Sequence, residues 1–101
     1  MSRTKPYPAG AEAPEPQAVT ACYSVSAYSD PSVMPRVLAA FSKRGLVPSH
    51  WHSRVSGPDG DDLLIDIQMR GLPSALTQQI AQALRQIIYV ERVLTSTKQV
   101  V

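Results

Sequence analysis

The chain has 101 residues, 44% hydrophobic and 18% charged, with a formal net charge of +2. That is room for one small domain, and its ten scattered Lys and Arg form no basic stripe of the kind a nucleic acid needs. A single cysteine excludes an intrachain disulfide and a cysteine-built zinc site, and no run approaches the roughly 20 apolar residues that cross a bilayer.

The N-terminus also lacks the apolar core of a signal peptide, so a reducing, cytoplasmic setting is expected. Residues 1–18 hold Pro6, Pro8, Pro14 and Pro16 among Ala, Gly, Glu and Gln, and are read as a disordered tail. The expected domain spans 19–97, with a frayed end at 98–101. From Val19 to Tyr28 the chain alternates, with Tyr23, Val25 and Ala27 on one side and Cys22, Ser24 and Ser26 on the other, as in a strand with one buried face.

Ser29-Asp30-Pro31 is a turn, and a helix follows. Val33, Val37, Ala40 and Phe41, with Leu38 beside them, make its apolar face, while Arg36, Lys43 and Arg44 lie opposite. Pro35 is tolerated only in the first turn, which sets the start at Val33 with Ser32 as the N-cap. Gly45 suits a left-handed C-terminal cap.

Residues 47–56 read as a second strand, on which Val47, Ser49, Trp51, Ser53 and Val55 share a face. Pro48 cannot donate to a ladder, which puts this strand at a sheet edge. Gly57-Pro58-Asp59-Gly60 turns it into a third strand, where Leu63, Ile65, Ile67 and Met69 alternate with Leu64, Asp66 and Gln68. Pro73 opens a second helix with Leu76, Ile80, Ala83, Leu84 and Ile87 facing the core, and Val90–Thr95 is the last strand. The order βαββαβ predicts an α+β, ferredoxin-like domain: a four-stranded antiparallel sheet with both helices on one face.

No arrangement of acid, base and nucleophile stands out. His50 and His52 flank Trp51 and share a face, but with no other histidine and no cysteine nearby two imidazoles are too few for a metal site. Asp59, Asp61 and Asp62 read as a solvated turn, and Cys22 as an inert thiol. No metal or cofactor is therefore expected.

The stretch Tyr-Ser-Val-Ser-Ala-Tyr-Ser-Asp-Pro-Ser-Val-Met-Pro-Arg-Val-Leu-Ala-Ala-Phe-Ser-Lys-Arg-Gly-Leu, residues 23–46, resembles the first strand, turn and helix of ACT domains. Arg36-Val37-Leu38 and Lys43-Arg44-Gly45 make it more similar to the small regulatory subunits of acetolactate synthase (acetohydroxyacid synthase). The resemblance implies a non-catalytic homodimer that supports the thiamine-diphosphate-dependent catalytic subunit in branched-chain amino-acid biosynthesis. In that family, dimers extend the sheet through the second strand and its neighbouring helix. This puts the expected interface on edge strand 47–56, with Val47, Ser49 and Trp51 as candidates. A small amino acid, valine in the regulated members, is held at the interface, and its contacts carry over to Ser29, Asp30, Ser32, Val33 and Val47.

Three of these depart from the pattern: Ser29 replaces an amide residue, Ser32 a glycine and Val47 an asparagine. Ser32 crowds the backbone amides, Pro35 removes one, and Val47 cannot hydrogen-bond a ligand. Each unmet polar group of a buried ligand costs about 1–3 kcal/mol, so weak or absent valine feedback is expected, as in the valine-insensitive isozyme II type. The alternative is a stand-alone ACT module that senses an amino acid for another enzyme.

Overall fold

The computed structural model describes residues 19–99; the expected tail at 1–18, with Val100 and Val101, lies outside the described residues. Its elements are β1 (Val19–Tyr28), α1 (Val33–Ser42), β2 (His50–Ser56), β3 (Asp62–Arg70), α2 (Ser74–Arg85) and β4 (Val90–Gln99). All neighbouring strands are antiparallel, in the order β2-β3-β1-β4. This is the expected βαββαβ, ferredoxin-like architecture, with β2 at an edge of the sheet. Among the described residues no helix is long and apolar enough to cross a membrane.

Alternation builds the sheet. Ala21, Tyr23, Val25 and Ala27 on β1, and Leu63, Ile65, Ile67 and Met69 on β3, point to the helices and are buried. Against them lie Val33, Val37, Ala40 and Phe41 of α1, with Ile80, Ala81 and Leu84 of α2. The Tyr23 and Phe41 rings meet edge-on with centroids 5.5 Å apart. The Tyr23 hydroxyl donates to the Thr77 carbonyl at 3.1 Å, which lets a polar tip be buried between sheet and helix.

α1 begins at Val33, which makes Pro35 its third residue. At its other end Gly45 takes φ +73°, the Gly45 N–H bonds the Ser42 carbonyl and the Leu46 N–H bonds that of Phe41. That pair of bonds is a Schellman motif.

Several boundaries differ from the expectation. β2 starts at His50 and not at Val47; Val47 is 83% exposed, and regular pairing stops short of Pro48, which has no N–H. β4 runs four residues past Thr95, so Lys98 and Gln99, expected to fray, belong to the strand. β1 offers them partners in Thr20 and Val19. α2 opens one residue later than Pro73, which stands in extended backbone as the N-cap. Its buried stripe is Thr77, Ile80, Ala81 and Leu84, with Leu76 and Ile87 only packed at the margin. The small residues Thr77 and Ala81 let this helix sit close to the sheet. Leu38, placed beside the core face of α1 by periodicity, is instead 45% exposed.

Candidate functional site

The candidate effector residues divide between two places. Ser29, Asp30, Ser32 and Val33 form the β1–α1 turn, at the end of the sheet that also carries the β2–β3 turn. The Ser29 N–H donates to the Asp61 carbonyl at 2.8 Å and its hydroxyl to that of Gly60 at 2.6 Å, which ties the two turns together. Val47 precedes β2, and β2 runs parallel to β1 because both pair antiparallel with β3. Within one chain Val47 therefore stands at the opposite end of the sheet from the turn, and the five residues do not meet.

At the head of α1 the expected cap is rearranged. Ser32 is the N-cap by position, but its backbone is already helical (φ −75°, ψ −13°) and its side chain bonds no helix amide. Asp30 takes over. Its Oδ1 accepts from the Ser32 N–H at 2.9 Å and the Ser32 hydroxyl at 2.7 Å, and its carbonyl accepts from the Val33 N–H at 3.0 Å. These hydrogen bonds from Ser32, with the charge of Arg36 nearby, hold the Asp30 carboxyl below the usual aspartate value.

An amino-acid effector would present its carboxylate to these amides and to the positive end of the helix dipole. Two of the amides are already bonded within the turn, Pro35 has none, and the Asp30 charge would face the ligand's. Val33 is buried at 0% exposure and lines the core under the turn. The role of Asp30 was legible in Asp-Pro-Ser, the spacing at which an aspartate accepts from the amide two residues on. The anchoring of Ser29 to Gly60 and Asp61 was not, because 31 positions separate its hydroxyl from its acceptor.

The interface candidates lie along the free edge. Trp51 is half-buried and packs against the core, while Val47 and Ser49 are exposed ahead of β2. The Ser53 hydroxyl touches the Met34 sulfur at 3.6 Å, so α1 lies beside this edge. Met34, Leu38 and Val55, at 38%, 45% and 61% exposure, leave an apolar strip along it. Among the described residues no three His, Cys, Asp or Glu side chains are grouped to hold a metal.

A family profile described as an ACT-like domain matches residues 15–100. The chain belongs to the ACT-like domain family. ACT domains are regulatory modules that commonly sense amino acids and pair with one another.

No curated protein matches the sequence. Among solved structures the ACT fold recurs in the ACT domain of GTP pyrophosphokinase from Chlorobium tepidum, at TM-score 0.64 and 10% identity over 76% of this chain and 96% of that one. The C-terminal domain of MgtC from Mycobacterium tuberculosis is similar at TM-score 0.65 and 11% identity, over 86% and 95% of the two chains. The regulatory subunit of aspartate kinase from Thermus flavus is similar at TM-score 0.56 and 14% identity, over 78% of this chain and 51% of that one. At these identities the likeness is one of fold.

Proposed function

We propose that this ACT-like domain is a non-catalytic, cytoplasmic regulatory subunit that dimerises through its β2 edge and supports the catalytic subunit of acetolactate synthase, with little or no valine feedback. The observation that carries the regulatory part is the ACT-like family match over residues 15–100, and the Asp30 carboxylate bonded to Ser32 at the β1–α1 turn supports the lack of valine feedback. The choice of enzyme rests on the similarity of residues 23–46 to that group of subunits, Arg36-Val37-Leu38 and Lys43-Arg44-Gly45 above all.

The dimer reading draws support from the exposed strip of Met34, Leu38 and Val55 beside the unpaired outer edge of β2. Antiparallel pairing of two β2 strands about His52 sets positions five before and five after it against one another. Val47 of the partner subunit then lies level with Gly57, next to the Ser29–Val33 turn. The two halves of the effector site, apart in one chain, become neighbours across the dimer.

The test is acetolactate formation by the catalytic subunit from the same source, with and without this chain and with and without valine. Activation that valine leaves unchanged is the expected result. Activation reversed by valine would keep the partner and overturn the closed-site argument. No activation, with calorimetry showing saturable binding of some amino acid to the chain alone, would move the reading to a stand-alone sensor for another enzyme.

A further inference from the structure

β1 lies inside the sheet, between β3 and β4, and the helices cover one side of it. Alternate residues of a strand face opposite ways, so Thr20, Cys22, Ser24 and Ser26 stand on the open side. They are small, and a shallow groove of about 650 Å³ passes over Cys22 and Ser24, walled by Gln68 and Asp66 of β3 and by Leu94 and Ser96 of β4. Where β1 begins, Thr20 has Arg70 as its partner on β3 and Lys98 on β4, both exposed. Arg54 and Arg92 stand at the other end of the same face, and Asp66 is the only carboxylate on it between the two pairs of cations.

The chain reaches Val19 from the end of the sheet marked by Arg70 and Lys98. With β1 paired along both edges and the helices on one face, the open face is the surface left for the residues that precede it. Residues 11–18 hold Glu12 and Glu15 and no Lys or Arg, so their charge is opposite to that of the face. The ACT-like match itself extends to residue 15, four ahead of β1. Pro14 and Pro16 have no N–H, which bars pairing as a further strand and favours the polyproline II form. A reversal at Pro16-Gln17-Ala18 returns Glu15 to the row of Arg70 and Lys98. At about 3.1 Å per residue Glu12 then falls about 9 Å further along β1, beside the His50 that rims the groove.

We propose that residues 11–18 fold back over the open sheet face of their own chain, with Glu15 between Arg70 and Lys98 and the Ala13-Pro14 pair over the groove of Cys22 and Ser24. By composition such a segment has too little apolar surface to order alone. Its attachment to β1 changes the balance, because a tethered segment meets its site at an effective concentration on the order of millimolar, so contacts too weak to hold a free peptide hold this one. The segment is then a built-in cover that keeps this face from other chains until it is displaced.

Cys22, the single cysteine, lies on the covered groove and reports on it. The experiment measures alkylation of the native full chain by iodoacetamide, a neutral reagent, in the parent, Glu15→Lys, Lys98→Glu and the Glu15→Lys, Lys98→Glu pair, together with NMR contacts from residues 11–18. Either single variant should speed alkylation about threefold, the scale of one exposed ion pair, and the charge-swapped pair should restore the parent rate. Contacts between Ala13 or Pro14 and Cys22 or Ser24 should be present in the parent and weaken in the single variants. Equal alkylation rates in the parent and Glu15→Lys, or contacts from residues 11–18 to the helices in place of the open face, overturn the proposal. Protection of Cys22 that rises with protein concentration overturns it too, because the cover is then a second copy of the chain.

Discussion

Asp30 carries two roles in one side chain. It closes the turn by accepting from Ser32, and it puts a negative charge at the positive end of α1. Because its carboxyl is held below the ordinary value of 3.8, its contribution to stability is complete above that value and fades as the pH falls through the lowered one. Asp30→Ala should therefore lower the urea midpoint at neutral pH, and its difference from the parent chain should shrink in strong acid; equal differences at both pH values would contradict the charge argument. Tyr23 poses the complementary case, a buried hydroxyl whose pKa is raised above 10.0 chiefly by its removal from water. Tyr23→Phe keeps the ring against Phe41 but removes the donor to the Thr77 carbonyl. A loss of about 1 kcal/mol is expected in equilibrium unfolding, against about 3–5 kcal/mol for Tyr23→Ala, which also opens a cavity.

Two turns limit the elements, and their glycines differ in what surrounds them. Gly45 ends α1 at φ +73°, and a Cβ there would meet nothing within 4 Å. Gly45→Ala should cost only the left-handed backbone strain, about 1–2 kcal/mol. Gly57 opens the β2–β3 turn at φ +92°, and a Cβ there would lie 2.8 Å from the Asp62 carboxylate. Gly57→Ala should cost more than Gly45→Ala, and the excess should vanish in the Gly57→Ala, Asp62→Ala double variant when unfolding free energies are compared. β4 makes the opposite point, since its last four residues carry no strong strand signal and are ordered by the length of β1 beside them.

The sheet leaves two edges open, those of β2 and β4, and the β2 edge has an exposed strip of α1 beside it. If β2 and α1 form the dimer contact, Leu38→Glu should dissociate the dimer in light scattering at micromolar concentration. The same change should shift the stability of the monomer by no more than about 0.5 kcal/mol, because Leu38 is already 45% exposed. A dimer that survives this change would move the contact elsewhere. Reopening the effector turn is a further test. Asp30→Asn with Ser32→Gly removes the charge and the side chain that crowds the amides of the turn. The pair should gain heat of binding for an amino acid in calorimetry where the parent shows none.

What the amino-acid order determined was everything governed by neighbours along the chain. The alternation of Tyr23, Val25 and Ala27, and of Leu63 to Met69, set which side of each strand is buried. Pro35 and Gly45 set the ends of α1, and Pro48, which has no N–H, stopped β2 from starting before it. Tertiary structure decided what depends on residues distant in sequence. Thr77 and Ala81 are buried because α2 lies close to β1, Leu38 is exposed because the core ends before reaching it, and Lys98 is in a strand because Thr20 is its partner. The candidate site divides the same way. Its turn is a local Asp-Pro-Ser device written in consecutive residues, whereas the separation of that turn from Val47, and the meeting of Arg70, Thr20 and Lys98 in one row of the open face, follow from how four antiparallel strands are laid side by side.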